Sequence, residues 1–169
     1  AMATEGIRSL NSGLPQILDD PQGLDGREKA LYGAYLSAVA FASAGSGLHH
    51  KICHVLGGTF NLPHAQTHAT VLPYVLGFNA PDAPDAAERI AAAFGAEDAL
   101  QGLEALRNRL GAPKALKDYG FTPEGIPTAV ELVLRAVPDN NPRKATTANL
   151  TALLQAALTG TDPAALSRE

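Results

Sequence analysis

Tryptophan is absent from these 169 residues, and aromatic residues make up only 5% of them. The core must therefore come from Ala, Leu, Val and Ile, which suit closely packed helices. A hydrophobic content of 46% is enough for a folded domain. The single cysteine, Cys53, excludes an internal disulfide and fits a reducing, cytoplasmic setting. Basic residues number 13 against 17 acidic ones, for a net charge of -4, and no Lys/Arg cluster runs along the chain. Nucleic acid is thereby excluded as the main partner, because phosphate backbones need a basic patch. A small anionic ligand, which needs only a few local cations, is not excluded. No apolar run reaches the roughly 18 residues of a membrane span, and no signal peptide is recognisable. The stretch from Leu31 to Ala44 is too short to span and reads as a buried helix. Convincing strand alternation is missing as well.

What is present is helical periodicity broken by Gly and Pro. Met2, Ile7, Leu10 and Leu14 recur at helical spacing with no cap before them, so the chain is expected to start inside a helix, the alternative being that Ala1 is a tag remnant ahead of an initiator Met2. Asp25 and Glu28 have capping-box spacing ahead of Leu31, Tyr35, Val39 and Ala42, and Gly45-Ser46-Gly47 ends that segment. A short helix from Leu48 to Leu56 is expected to stop at Gly57-Gly58. The next has Pro63 in its first turn, runs to about Asn79, and carries Pro73 as a candidate kink. After a loop from Ala80 to Asp85, helices are expected over Ala86 to Phe94, Ala96 to Leu110, Glu124 to Ala136 and Thr147 to Leu158. Thr122-Pro123 is the start signal of the third of these, and Pro138 to Pro142 forms a loop. The expectation is an all-α fold, one domain over residues 1–169, a bundle of about seven or eight helices.

All five histidines fall between His49 and His68. His50 and His54 are four apart on one helix, and His64 and His68 are four apart on the next, so each pair shares a face. If the helices fold back at the Gly-Gly pair, three or four imidazoles converge. Imidazole binds borderline divalent metals and transfers protons near neutral pH. A metallopeptidase reading fails, because Lys51 stands where the general-base glutamate of His-Glu-x-x-His would be. Cys53 and His54 point about 100° apart, which argues against a thiol–imidazole pair and for Cys53 as a small buried residue.

The run Gly47-Leu48-His49-His50-Lys51-Ile52-Cys53-His54-Val55-Leu56-Gly57-Gly58-Thr59-Phe60-Asn61-Leu62-Pro63-His64 resembles the signature of maleylacetate reductases, a branch of the iron-containing alcohol dehydrogenase superfamily. Ala65-Gln66-Thr67-His68-Ala69, the opening Ala3 to Arg8, and Asn141-Pro142-Arg143 are similar to the same branch. The resemblance covers the whole chain and is densest from Gly47 to Asn79. It implies the helical C-terminal domain of a dehydroquinate synthase-like fold, with an N-terminal α/β domain that binds NADH or NADPH lying outside this sequence. It further implies a cytoplasmic homodimer with its active site between the two domains.

In the iron-dependent branch an Asp-x-x-x-His pair and two later histidines hold the metal. The later two match His50 and His64, and a histidine lining the nicotinamide pocket matches His54. The pair is not in this sequence, and the reductase branch often has Asn for Asp, so the resemblance leaves Fe or Zn open. For reduction of the dicarboxylate maleylacetate to 3-oxoadipate, it implies His54 as proton donor or oxyanion partner. Lys51, where simple alcohol dehydrogenases commonly have glycine, becomes a candidate for a substrate carboxylate, with His68 beside it as a second substrate contact. Competing readings are a metal-dependent alcohol or aldehyde dehydrogenase of the same superfamily and a non-catalytic assembly module. A histidine-rich metal carrier fits poorly, because the histidines are embedded in apolar helices. This sequence alone is expected not to turn over maleylacetate.

Overall fold

The computed structural model describes residues 1–167. The described residues are all helical or irregular, in the order α1 (Met2–Asp19), α2 (Leu24–Ala44), α3 (Leu48–Phe60), α4 (His64–Asn79), α5 (Pro84–Phe94), α6 (Ala99–Leu110), α7 (Ile126–Ala136) and α8 (Thr147–Thr159). Short 3-10 turns occupy Ala80–Asp82, Leu116–Tyr119, Pro123–Gly125 and Pro163–Ser167. None of these helices is long and apolar enough to cross a membrane. The chain divides into two compact units: Ala1–Gly45 with Pro84–Ala112, and Ser46–Ala83 with Pro113–Glu169.

The first unit is built on a hairpin of α1 and α2 that glycine makes possible. A β-carbon on Gly13 would lie 2.7 Å from Ala30 N and 2.8 Å from Gly26 O, and one on Gly33 would lie 2.9 Å from Gly6 O. The two backbones are therefore in direct contact, an approach that only a missing side chain allows. This overturns the expected burial of α2. Its inner face is Gly26, Gly33 and Leu36, while Leu31 and Tyr35 are 72% and 66% exposed. The large residues point outward because the partner helix sits where their side chains would go. The expected Asp25–Glu28 capping box is also absent: α2 starts at Leu24, its N-cap is Gly23, and no side chain caps it.

The second unit holds a continuous apolar core. Leu48, Ile52 and Leu56 of α3 meet Val71, Val75 and Phe78 of α4, Val130 and Val133 of α7, and Leu150, Leu153 and Leu154 of α8. Each such side chain, taken fully out of water, contributes about 1.5–3 kcal/mol. Helix α8 begins with a capping box that sequence reading missed: Thr146 N donates to Asn149 Oδ1 (2.8 Å) and Asn149 N to Thr146 Oγ1 (3.3 Å). Thr122 caps no α-helix. Residues Pro123–Gly125 make a 3-10 turn first, and α7 starts at Ile126. Helix α3 does not stop at Gly57-Gly58 but runs to Phe60. Two glycines cost it about 1 kcal/mol each, but the stop comes from Asn61 in the left-handed region (φ 55°), with Leu62 N bonded back to Leu56 O at 3.4 Å.

Candidate active site

Helices α3 and α4 belong to the second unit and are joined only by Asn61, Leu62 and Pro63. The reversal that sets them side by side lies there and not at Gly57-Gly58. Leu62 is 6% exposed and anchors the turn in the core. Helix α4 is tied down by its threonines and tyrosine. Thr67 Oγ1 donates to Pro63 O (2.7 Å), Thr70 Oγ1 shares a hydrogen bond with the Tyr119 hydroxyl, and Tyr74 Oη donates to Lys114 O (3.5 Å). Thr67 and Thr70 are fully buried. Their polar atoms are satisfied within the fold, which fixes the rotation of α4 and aims His64 and His68 at α3.

The five imidazoles form one connected cluster. Ring centroids lie 4.3 Å apart for His64–His68, 4.8 Å for His49–His68, 5.0 Å for His50–His68, 5.3 Å for His49–His50 and 6.1 Å for His50–His54. His68 stands at the centre, touching rings from both helices. Depth varies across the cluster: His54 and His64 are exposed, whereas His49, His50 and His68 are half-buried. His49 shares a hydrogen bond between its Nε2 and the carbonyl of His68 (3.1 Å). The Nε2 of His68 is shut off from solvent and has no hydrogen-bond partner among the described residues.

Burial sets the electrostatics. It pushes His49 down to about 4, against a smaller upward pull from its carbonyl partner. Burial and then the surrounding imidazoles bring His68 to about 4 as well. His50 is lowered by burial, by His54 and His64, and by the ammonium of Lys51. The inner rings are thus neutral at pH 7, in the form that coordinates a metal or accepts a proton. Lys51 is half-buried and close enough for His50 to feel its charge. The histidines singled out in sequence, His50, His54, His64 and His68, are thus brought together in the second unit, with Lys51 next to His50 on α3.

Sequence reasoning missed two neighbours. A ring nitrogen of His49, one of His68 and the Cys53 sulfur lie within 4.8 Å of one another. The signal was available, since His49 and Cys53 are four apart on α3, the same interval that picked out His50 and His54.

Residues 1–158 match the sequence pattern of the Fe-containing alcohol dehydrogenase family, C-terminal part. The chain belongs to the iron-containing alcohol dehydrogenase family. A protein of Sphingobium indicum named maleylacetate reductase is 43% identical over 96% of this chain, and one of Burkholderia cepacia with the same name is 41% identical over 96%. The chain spans about half the length of these curated relatives, 46% in each case. Among solved structures, an iron-containing alcohol dehydrogenase from Corynebacterium glutamicum superposes with a TM-score of 0.97 at 66% identity, over 98% of this chain and 47% of that one. A maleylacetate reductase from a Rhizobium species superposes with a TM-score of 0.87 at 41% identity, over 94% of this chain and 45% of that one. The all-α architecture expected from sequence is that of this family's C-terminal part.

The donors present suit a borderline divalent ion in kind but are incomplete as a site. His50 and His64 come from adjacent helices, and the charge of His64 is felt at His50; neutral imidazole is the ligand such an ion takes. Two imidazoles alone leave a four-coordinate ion half-filled, so any such ion needs further ligands.

Proposed function

We propose that this chain supplies the histidine-bearing half of the active site of an NAD(P)H-dependent maleylacetate reductase in the cytoplasm, the other half being the nucleotide-binding domain that the family resemblance implies. The observation that carries the reading is the convergence of five imidazoles in one cluster. Reduction of the conjugated double bond adds a hydride at one alkene carbon and a proton at the other. In between, negative charge gathers on the ketone oxygen as an enolate. The nicotinamide supplies the hydride, and an Fe or Zn ion, where bound by His50 and His64, would polarise that oxygen.

This chain's residues do the rest. His54, exposed at the open side of the cluster, donates the proton or a hydrogen bond to the developing oxyanion. Lys51 pairs with one substrate carboxylate. His68, at the centre of the cluster, orders the neighbouring rings and contacts the substrate. The remaining wall of the pocket, and the cations for the second carboxylate, belong to the other domain. A homodimer completes the proposal, as the family resemblance implies.

The test joins this sequence to the nucleotide-binding half encoded with it and follows NADH or NADPH oxidation. Turnover of maleylacetate, and none by the 169 residues alone, supports the reading. A second reading, a metal-dependent alcohol or aldehyde dehydrogenase, draws on the 66% identity to the Corynebacterium glutamicum protein. Chelator-sensitive reduction of simple aldehydes without turnover of maleylacetate would select it. A third, an assembly module, draws on the exposed face of α2 with Leu24, Leu31, Tyr35 and Phe41. Light scattering that finds only monomers would remove it.

A further inference from the structure

Beneath the open imidazoles lies a second donor set, and it differs in chemistry from the first. His49 and Cys53 occupy successive turns of α3, and His68 reaches them from α4. One ligand atom from each lies within 4.8 Å of the other two. A tetrahedral ion with metal–ligand bonds of about 2.0–2.3 Å holds its ligands about 3.4–3.8 Å apart. A contraction of at most roughly 1.0–1.4 Å, within the reach of side-chain rotation on two fixed helices, brings the three donors to that spacing.

Two further observations point the same way. His68 Nε2 is buried and unpartnered among the described residues, a position that normally requires an explanation such as an unseen ion. The backbone carbonyl of His68 engages one ring nitrogen of His49 (3.1 Å). That is the outer-shell contact ligating histidines usually make, fixing ring and tautomer while the other nitrogen binds.

We propose that His49, Cys53 and His68 form a binding site for a thiophilic divalent ion of the Zn(II) class, separate from the His50–His64 pair. A two-nitrogen, one-sulfur set favours such ions over oxygen-seeking cations, and leaves a fourth position for water or an exogenous ligand. On binding, the Cys53 S–H bond breaks, the sulfur pair goes to the metal and the proton goes to buffer, with no change of oxidation state. The ion takes up a ring nitrogen of His68, so loading of this site and use of that nitrogen by a substrate exclude each other.

Cobalt(II) is the probe, because a thiolate ligand gives it a sulfur-to-metal charge-transfer band in the near ultraviolet that imidazole ligands do not. The 169-residue chain, kept reduced and free of other metals, is titrated with Co(II). One equivalent bound with that band is the expected result. Cys53→Ser should abolish the band and weaken binding by roughly 10–100-fold or more, given that even loss of an outer-shell partner has that effect. His50→Ala and His64→Ala should keep the band. Binding without the band, binding unaltered in Cys53→Ser, or no binding at all would overturn the proposal. The wild-type spectrum decides the matter even if the serine variant fails to fold. Because the readout is spectroscopic, failure of the reductase reading leaves it untouched.

Discussion

Replacing Gly13 by alanine puts a methyl group where two backbones already touch. The new carbon would lie 2.7 Å from Ala30 N, 2.8 Å from Gly26 O and 2.9 Å from Lys29 Cβ. Ordinary contacts of this kind are about 3.5–4.0 Å, so α2 must retreat by roughly 0.7–1 Å along much of the hairpin. The two nearest atoms are backbone and cannot rotate away. Overpacking costs about 1–3 kcal/mol, and about 2–3 kcal/mol here, where rigid backbone blocks relief, while alanine returns about 1 kcal/mol of helix propensity. The net is a loss of about 1–2 kcal/mol, or a fall in Tm of roughly 2–8 °C for a chain of this size. Gly58→Ala is the control. It also replaces a helical glycine, but a β-carbon there would meet nothing within 4 Å. Its propensity gain of up to about 1 kcal/mol should raise Tm by about 2–4 °C. Thermal unfolding followed by circular dichroism reads both. If Gly13→Ala is as stable as the parent, the hairpin is not seated on its glycines.

Other expectations concern the histidine wall. In the complete enzyme, His54→Ala should lower kcat by about 10²–10⁴-fold, the usual cost of a lost general acid; a change of only a few fold would remove His54 from proton transfer. Lys51→Ala should raise KM for maleylacetate, and an unchanged KM would end its pairing with a carboxylate. Acid should weaken the fold through His49 and His68. Both fall to about 4 when folded, from 6.5, so between those values the unfolded chain binds protons that the folded chain does not. Stability is then lost as pH falls through that window. With chelator present, Tm should drop between pH 7 and pH 5.5, and less so in a His49→Gln, His68→Gln double variant. A Tm that holds or rises on acidification would contradict the neutral burial of these rings.

The helices were legible because their apolar residues recur with a helical period, yet their ends and faces were read less well. Glycine carried two opposite meanings. At Gly57-Gly58 it looked like a stop, but the helix runs on to Phe60, and the left-handed backbone of Asn61 provides the cap. In α2 the large residues looked like the core side, because hydrophobic periodicity assumes that bulk faces inward. There the inner face is made by Gly26 and Gly33 against Gly6 and Gly13, and close backbone approach replaces side-chain volume. Caps were misassigned for a related reason. Asp25 and Glu28 have the spacing of a capping box, as do Thr146 and Asn149, and only the second pair has a helix that starts at the right residue. The 3-10 turns, at three to five residues each, are too short to leave a period.

The cluster itself was visible as two pairs of histidines four residues apart, since a helical turn returns a side chain to the same face. Which rings lie deep was not visible, because depth depends on how α4 is rotated against α3. That rotation is set by Thr70 and Tyr74, whose bonds to Tyr119 and Lys114 span 49 and 40 positions of sequence. The same rotation that leaves His54 and His64 open to solvent turns His68 inward onto His49 and Cys53. One face of α4 thus serves two donor sets of different hardness, and the division between them falls at His68. A substitution that turns α4, such as Thr70→Val, which removes the hydroxyl shared with Tyr119, should therefore disturb both together. It should weaken Co(II) binding at the sulfur-bearing set and lower turnover by the complete enzyme, though Thr70 touches neither ion nor substrate. Loss of one property with full retention of the other would show that the two sets are held by separate supports.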